Sequence, residues 1–442
     1  MKLRRRYSPV FWEAYQFLQK SKLWERSRLE EYQWLEIKKL LNYAYNNTVY
    51  YQKKFSEYGI IPDGIKDFDD FSKKVPVLTK DDVRNNLEDL IALPKQKLEY
   101  VSTGGSTGIP LGFFLEKGVT YQKTLAFEWR QFNEGGYFFG DKVAVLRGRV
   151  LKDCFFAIDR KQRRLFLSTF DMTEENMHKY VDLINRYRPK HIRAYPSAAE
   201  MLAKLIIHYY PGFNEDKSIL SLFTSSEDLS NHQREVFSKA LRLIVFDKYG
   251  NNEQCGMIGQ CKEGKYHEYM EFAYSEFLDE SNNRVKEGKA KLISTSFVNY
   301  ALPFIRYDTG DVVELDGNGE CFCGMEHRLI KRINGRWKRN YQVVGRDGNL
   351  ISLTALNSHS DIFDNVYRIQ YLQNEKGKVT LNIVPKQSYT SKDRNRIYEE
   401  LNGKLKERLE LTVTEVNNVQ LTKSGKYKLL VQNLDLMDFS SD

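Results

Sequence analysis

From about residue 100 onward, short apolar runs alternate with segments that are apolar along one helical face. This alternation restricts the chain to layered α/β architectures. The strand candidates are residues 142–146, 191–195, 220–225, 241–248 and 291–295. Between them, residues 173–187 place Met177, Tyr180, Val181 and Ile184 on one face. Residues 196–209 form a second helix candidate, and Pro196 suits its first turn.

Ahead of this region, residues 28–58 read as one long helix, with Trp34, Ile37, Leu41 and Ala44 recurring at spacings of three and four. Pro76-Val77-Leu78-Thr79-Lys80-Asp81-Asp82 predicts a turn and then a helix capped at Thr79. Beyond about residue 340 the pattern changes to strands over 342–385, one helix over 391–409, a further strand and a tail. That is the pattern of a small α+β domain, and the Gly-rich join from Gly335 to Asn349 is a candidate hinge. The expected domains are therefore 1–336, with a helical part over about 1–98, and 337–442.

At 442 residues, 41% hydrophobic and 29% charged, the chain has the composition of a folded globular protein. The net charge of +9 permits acidic partners without selecting one. The basic runs Arg4 to Arg6 and Arg160 to Arg164 read as solvated surface, and no nucleic-acid module accompanies them. No segment is apolar enough to span a membrane. The basic N-terminus has no apolar run behind it, and five cysteines do not make a secreted disulfide framework, so a cytoplasmic protein is expected.

Four stretches carry chemistry. Ser102-Thr103-Gly104-Gly105-Ser106-Thr107-Gly108-Ile109-Pro110 offers close backbone approach, hydroxyl donors and successive N–H groups for a phosphate nest; taken alone, a run of this kind is more often a flexible turn. Asp247-Lys248-Tyr249-Gly250-Asn251-Asn252-Glu253 reads as a strand end, where a ring can stack on a base and a carboxylate can hold a metal. A capped strand with a surface acid is its plain alternative. Pro303 to Asp311 brackets a Thr-Gly turn with two acids, either of a simple hairpin or of a carboxylate that grips both hydroxyls of a ribose. Thr422 to Lys428 places Lys426 on a Gly-flanked loop from which an ammonium can neutralise developing negative charge.

The order and separation of these four motifs resemble the adenylate-forming superfamily of acyl-CoA ligases and adenylation domains. LLNYAYNNTVYYQKKF and VPVLTKDDVRNN, ahead of TGGSTGIP, are similar to its phenylacetate–CoA ligase-like branch and to the CapK-type proteins associated with capsular polysaccharide biosynthesis. The resemblance covers nearly the whole chain. It implies an α/β fold with a large N-terminal adenylation domain and a small mobile C-terminal α+β lid. It implies an enzyme, a carboxylate–AMP ligase that uses ATP and Mg²⁺; a non-catalytic nucleotide-binding or scaffolding descendant of the fold is the alternative. By the same resemblance Ser106, Thr107 and Gly108 hold phosphates. Ser226 and Glu227, in TSSE, line the adenine pocket with Gly250 and Asn252 nearby. Tyr249 stacks on adenine, Glu253 coordinates Mg²⁺ and Asp311 binds the ribose. Arg336 contacts the nucleotide, Lys426 is the lid lysine, and Tyr195 and Ser197 line the acyl pocket.

Two positions depart from the pattern: Leu111 stands where the superfamily often has Lys, and Trp337-Lys338-Arg339 where many members carry an acid. The second bears on the acceptor step, for which CoA, a sugar or an amine stay open. The basic run from Lys331 to Arg339 reads either as an exposed hinge or as a contact for a phosphorylated acceptor.

Cys261, His267, Cys321 and Cys323 form C-x5-H and C-x-C-G pairs whose thiolates and imidazole suit tetrahedral zinc. Buried free cysteines are the alternative, and Cys255 is a neighbouring candidate ligand. The resemblance adds that relatives in this branch show a similar cluster, which implies a structural Zn²⁺ site.

Overall fold

The computed structural model describes residues 7–102, 111–147, 154–169, 172–317, 319–336, 342–348, 350–352, 361–363, 365–405, 408–421 and 427–434. The chain divides into two compact units, one of Met1–Asp141, Phe223–Asp228 and Ile244–Trp337, the other of Lys142–Leu222, Leu229–Leu243 and Lys338–Asp442. Among the described residues no helix is long and apolar enough to cross a membrane.

The first unit opens with helices. The expected helix over 28–58 is two helices, Arg26–Asn47 and Val49–Glu57, because Thr48 between them is extended at φ −132 and ψ 138. The Thr48 hydroxyl accepts from Tyr51 N and so caps the second helix, a function Thr performs better than it continues a turn. Ile37, Leu41 and Ala44 face inward, in a cluster with Phe113, Leu115, Phe304 and Tyr307. The helix Lys80–Asn85 starts at the predicted cap, where Thr79 and Asp82 form a capping box.

The sheet of this unit runs, in spatial order, Ala273–Leu278, Glu287–Ser296, Tyr307–Asp316, Leu329–Arg336, Tyr266–Glu268, Met257–Gln260 and Ile244–Gly250. Each neighbouring pair is antiparallel. The strand–helix alternation expected from the sequence therefore stops after residue 250. The connections between these strands are too short for crossover helices, and only antiparallel neighbours can be joined that way.

Leu78 pairs with the start of the strand Tyr307–Asp316: its N–H donates to Arg306 O at 3.0 Å and its carbonyl accepts from Asp308 N at 2.9 Å. The Arg306 guanidinium reinforces this join. It donates to both oxygens of Glu276, at 2.8 and 3.0 Å, and to the Val75 carbonyl, all buried.

In the second unit the strands His191–Ala194, Val143–Leu146 and Arg164–Leu167 are parallel neighbours, and Phe156–Asp159 closes that edge antiparallel. The helix Glu174–Tyr187 begins at its cap Thr173 and buries Met177, Tyr180, Val181 and Ile184, the face the sequence marked. The helix Pro196–Tyr209 has the predicted bounds. The C-terminal segment forms a four-stranded sheet in the order Glu410–Glu415, Lys378–Pro385, Val366–Glu375 and Leu430–Gln432. The helix Ser391–Leu405 packs on it through Ile397, Leu401 and Leu405. Residues 406–407 lie outside the description, and Leu409 belongs to the core ahead of the next strand rather than to the helix.

Candidate functional site

Ile244, Val245 and Phe246 favour extended backbone, and the strand they start runs two residues further than the sequence suggested, through Tyr249 and Gly250. Tyr249 pairs with Ile258 and Gly250 with Met257, so residues 251–256 are a hairpin tip. Asn251 closes that tip: its amide donates to Cys255 O at 2.8 Å and its carbonyl oxygen accepts from Cys255 N at 2.8 Å. A Cβ added at Gly250 would meet nothing within 4 Å, so a flat ligand could approach the backbone there.

The Tyr249 hydroxyl donates to Asp311 Oδ2 at 2.7 Å. Burial, then the Asp311 charge, pushes the Tyr249 phenol well above its ordinary value. Asp311 sits within the strand Tyr307–Asp316, which runs through Thr309 and Gly310 where the sequence suggested a turn, and the Lys80 ammonium donates to Thr309 O at 3.0 Å. Its backbone partner on the next strand is Arg336. Glu253, on the hairpin tip, is 3% exposed and its Oε1 accepts from the Tyr307 hydroxyl at 3.0 Å. Asn252 is exposed beside it, and its carbonyl accepts from the Gln254 side chain at 3.1 Å.

Thr224 donates to Asp247 Oδ1 at 2.6 Å, while Tyr266 donates to Asp247 Oδ2 at 2.7 Å. Ser226 and Glu227 follow Thr224 in the chain, and Ser226 adopts φ 75. Of the nine non-glycine residues with positive φ among the described residues, Ser226 and Arg306 lie inside marked motifs and Gln254 directly follows one. Asp228 is open to solvent, yet its carboxyl is pushed up to about 6 by desolvation first, then by Asp247, Asp311 and Glu227, with Arg332 opposing.

This unit thus brings together Tyr249 with Asp311 and Glu253 with Tyr307. Asp247, Tyr307 and Asp228 were not given roles from the sequence, although each lies inside or beside a motif that was marked. Ser106, Thr107, Gly108 and Lys426 lie outside the described residues. Tyr195 and Ser197 belong to the other unit, at the end of the strand His191–Ala194 and the start of the helix Pro196–Tyr209. Both are buried, Tyr195 N donates to Leu146 O at 3.1 Å, and the Arg147 guanidinium lies over the Tyr195 ring at 5.3 Å.

Cys261, His267, Cys321 and Cys323 do meet: their ligand atoms all lie within 4.8 Å of one another. Zinc bonds of about 2.3 Å to sulfur and about 2.05 Å to nitrogen imply tetrahedral edges of about 3.8 Å between sulfurs and about 3.5 Å between sulfur and nitrogen. The observed Cys261 Sγ–Cys321 Sγ and Cys323 Sγ–His267 Nε2 distances are 3.6 and 3.4 Å. Burial holds the His267 imidazole neutral, down at about 4, the form in which it binds metal. Burial also pushes Cys323 up to about 12, a proton that a metal would displace. Cys255 lies apart, in the apolar cluster under the N-terminal helices.

Comparison with known proteins gives the following. Residues 343–433 match the family described as the CapK C-terminal domain. The chain is 24% identical to Protein CapK of Staphylococcus aureus over 97% of its own length and 98% of that protein. It is 27% identical to the phenylacetate-coenzyme A ligase of Pseudomonas putida over 78% of its length and 76% of that protein. Among solved structures, 2-hydroxyisobutyryl-CoA ligase, in complex with an acyl-adenylate, shares the fold at a TM-score of 0.68 and 18% identity, over 94% of this chain and 92% of that one.

Proposed function

We propose that the chain is a member of the adenylate-forming superfamily, in the phenylacetate–CoA ligase-like branch with CapK, and that it uses ATP and Mg²⁺ to convert a carboxylate into an acyl-adenylate and then passes the acyl group to an acceptor; its likeness to Protein CapK and to the phenylacetate-coenzyme A ligases supports this. The observation that carries this reading is the 2.7 Å hydrogen bond between Tyr249 and Asp311. It couples a ring suited to a base with a carboxylate suited to ribose hydroxyls. A carboxylate has about four acceptor sites, so Asp311 keeps capacity for both hydroxyls while it accepts from Tyr249.

In this reading Ser226, Glu227, Gly250 and Asn252 shape the adenine pocket and Arg336 contacts the nucleotide. Ser106, Thr107 and Gly108 cradle the phosphates, and Tyr195 and Ser197 line the acyl pocket. The substrate carboxylate attacks the α-phosphate and pyrophosphate leaves. Thr107 and Lys426 steady the negative charge that develops on the phosphoryl oxygens.

Glu253 fits Mg²⁺, because that ion is commonly held by one or two carboxylates together with substrate phosphates and water. Bound there, it would neutralise phosphate charge. The four-ligand cluster fits a closed structural Zn²⁺ site, with no position left for a substrate. The C-terminal segment from residue 337 acts as the lid. CoA is the acceptor that the ligase relatives suggest; a sugar or amine acceptor in surface polysaccharide assembly is the reading the CapK likeness suggests. Either acceptor suits an enzyme working in the cytoplasm, where ATP is available, in keeping with its five free thiols.

The test is ATP–pyrophosphate exchange with the full chain, Mg²⁺ and a panel of carboxylic acids, beside Lys426→Ala. Exchange that depends on one acid, and that falls by about 10²- to 10³-fold in the variant, is the expected result. No exchange with any acid, together with no nucleotide binding, would sink the proposal.

A further inference from the structure

We propose that Gln254 is a positioning residue for Glu253, locking the hairpin tip so that the Glu253 carboxylate is held in one direction toward the cation of the bound nucleotide. The inference rests on the adenylation reading and adds a residue to it.

Gln254 is 6% exposed and adopts φ 60. This is backbone that Gly, Asn or Asp would take far more readily. A tip that needed only to turn the chain would use one of those residues. Gln254 instead commits each of its polar groups. Its Oε1 accepts from Thr124 Oγ1 at 2.7 Å and its Nε2 donates to Asn252 O at 3.1 Å. Its carbonyl accepts from Ser296 Oγ at 2.6 Å and its N–H donates to Asn251 O at 3.2 Å.

Thr124 lies on the helix Thr120–Glu134 and Ser296 ends the strand Glu287–Ser296, so two rigid elements hold one strained residue. Glu253 is the next residue back in the chain, and its carboxylate has its own brace in Tyr307. Released from Thr124 and Ser296, residue 254 would relax to negative φ and carry the peptide that bears Glu253 with it. Groups that orient a metal ligand in this way commonly matter almost as much to metal affinity as the ligand itself.

The experiment is calorimetric binding of α,β-methylene-ATP, which cannot form the adenylate, to the full chain with and without Mg²⁺. Wild type is compared with Gln254→Ala and with Thr124→Val, which removes the tether without touching residue 254. In both variants we expect Mg²⁺ to strengthen nucleotide binding about tenfold less than in wild type, with Mg²⁺-free affinity unchanged within about twofold. Variants that keep the full wild-type gain from Mg²⁺ would overturn the inference. So would variants that lose Mg²⁺-free affinity to the same extent, since that marks a general packing defect. Wild type that binds no nucleotide under either condition overturns the adenylation reading itself, and this inference with it.

Discussion

Tyr249 and Asp311 sit on different strands and share one proton-donating contact, phenol to Oδ2 at 2.7 Å, so neither can shift without the other. Burial, then the Asp311 charge, hold the phenol protonated, so Tyr249 stays a donor to Asp311. Replacing Tyr249 by Phe keeps the ring and removes a hydrogen bond to a charged group, worth about 1.5 kcal/mol, so KM for ATP should rise roughly tenfold. Tyr249→Ala should cost more, since stacking on a base contributes about a further 1–3 kcal/mol. Steady-state pyrophosphate exchange at varied ATP measures both; an unchanged KM in the Phe variant would show that the contact is idle.

The cysteine–histidine quartet should hold metal. Protein purified under reducing conditions should contain about one zinc per chain by plasma mass spectrometry. Cys321→Ser should lose the metal and melt at a lower temperature, because binding free energy at a structural site is folding free energy. Metal-free wild type that melts at the same temperature with and without added zinc would refute this.

Asp228 gives the pH prediction. Its folded-state value of about 6 lies above the ordinary carboxylate value, so folding takes up a proton between roughly pH 4 and pH 6. Stability therefore falls as pH rises through that window. Asp228→Asn should leave stability at pH 4 alone and raise it at pH 7. The side chain is open to water, and after discounting for screening the gain is about 1 kcal/mol. Urea midpoints at the two pH values decide it; a gain at pH 4 as large as at pH 7 would contradict the assignment.

Arg306 and Glu276 are buried partners, with side chains 8% and 1% exposed. Arg306→Met strands the carboxylate and should cost about 3–5 kcal/mol, seen as a lowered unfolding midpoint or lost soluble yield. Adding Glu276→Met should recover most of the loss. A double variant no better than the single one would show that the tie of Arg306 to the Val75 carbonyl dominates instead.

The elements legible in the sequence were those whose signal is local. Thr79 with Asp82, Thr173, and Pro196 mark helix starts by their own side chains, and the structure begins helices at or immediately after each of them. Thr48 was hidden because the apolar spacing continues across it, and only the structure shows the extended backbone that lets its hydroxyl cap the second helix. The antiparallel half of the first unit was hidden because short apolar strands look alike whichever way their neighbours run. At the candidate site, resemblance and residue chemistry singled out Tyr249, Glu253 and Asp311, and the structure adds the contacts of Tyr249 with Asp311 and of Glu253 with Tyr307. Gln254 was not: an interior Gln carries no signal of positive φ, and its partners Thr124 and Ser296 lie 130 and 42 residues away. The cysteine–histidine quartet sits between: the residue types marked its members, but only the fold brings Cys261 beside Cys321.

The pairing of Leu78 with the backbone around Tyr307 sets a schedule for biosynthesis. The N-terminal helices leave the ribosome long before the strand that completes their core exists. At about 5–20 residues per second, the delay is on the order of ten to fifty seconds. During it, the face that carries Ile37, Leu41 and Ala44 lacks Phe304 and Tyr307 to cover it. Nascent chains of this protein should therefore engage chaperones early and acquire protease resistance late, and slowing translation in the middle of the message should lengthen the exposed interval.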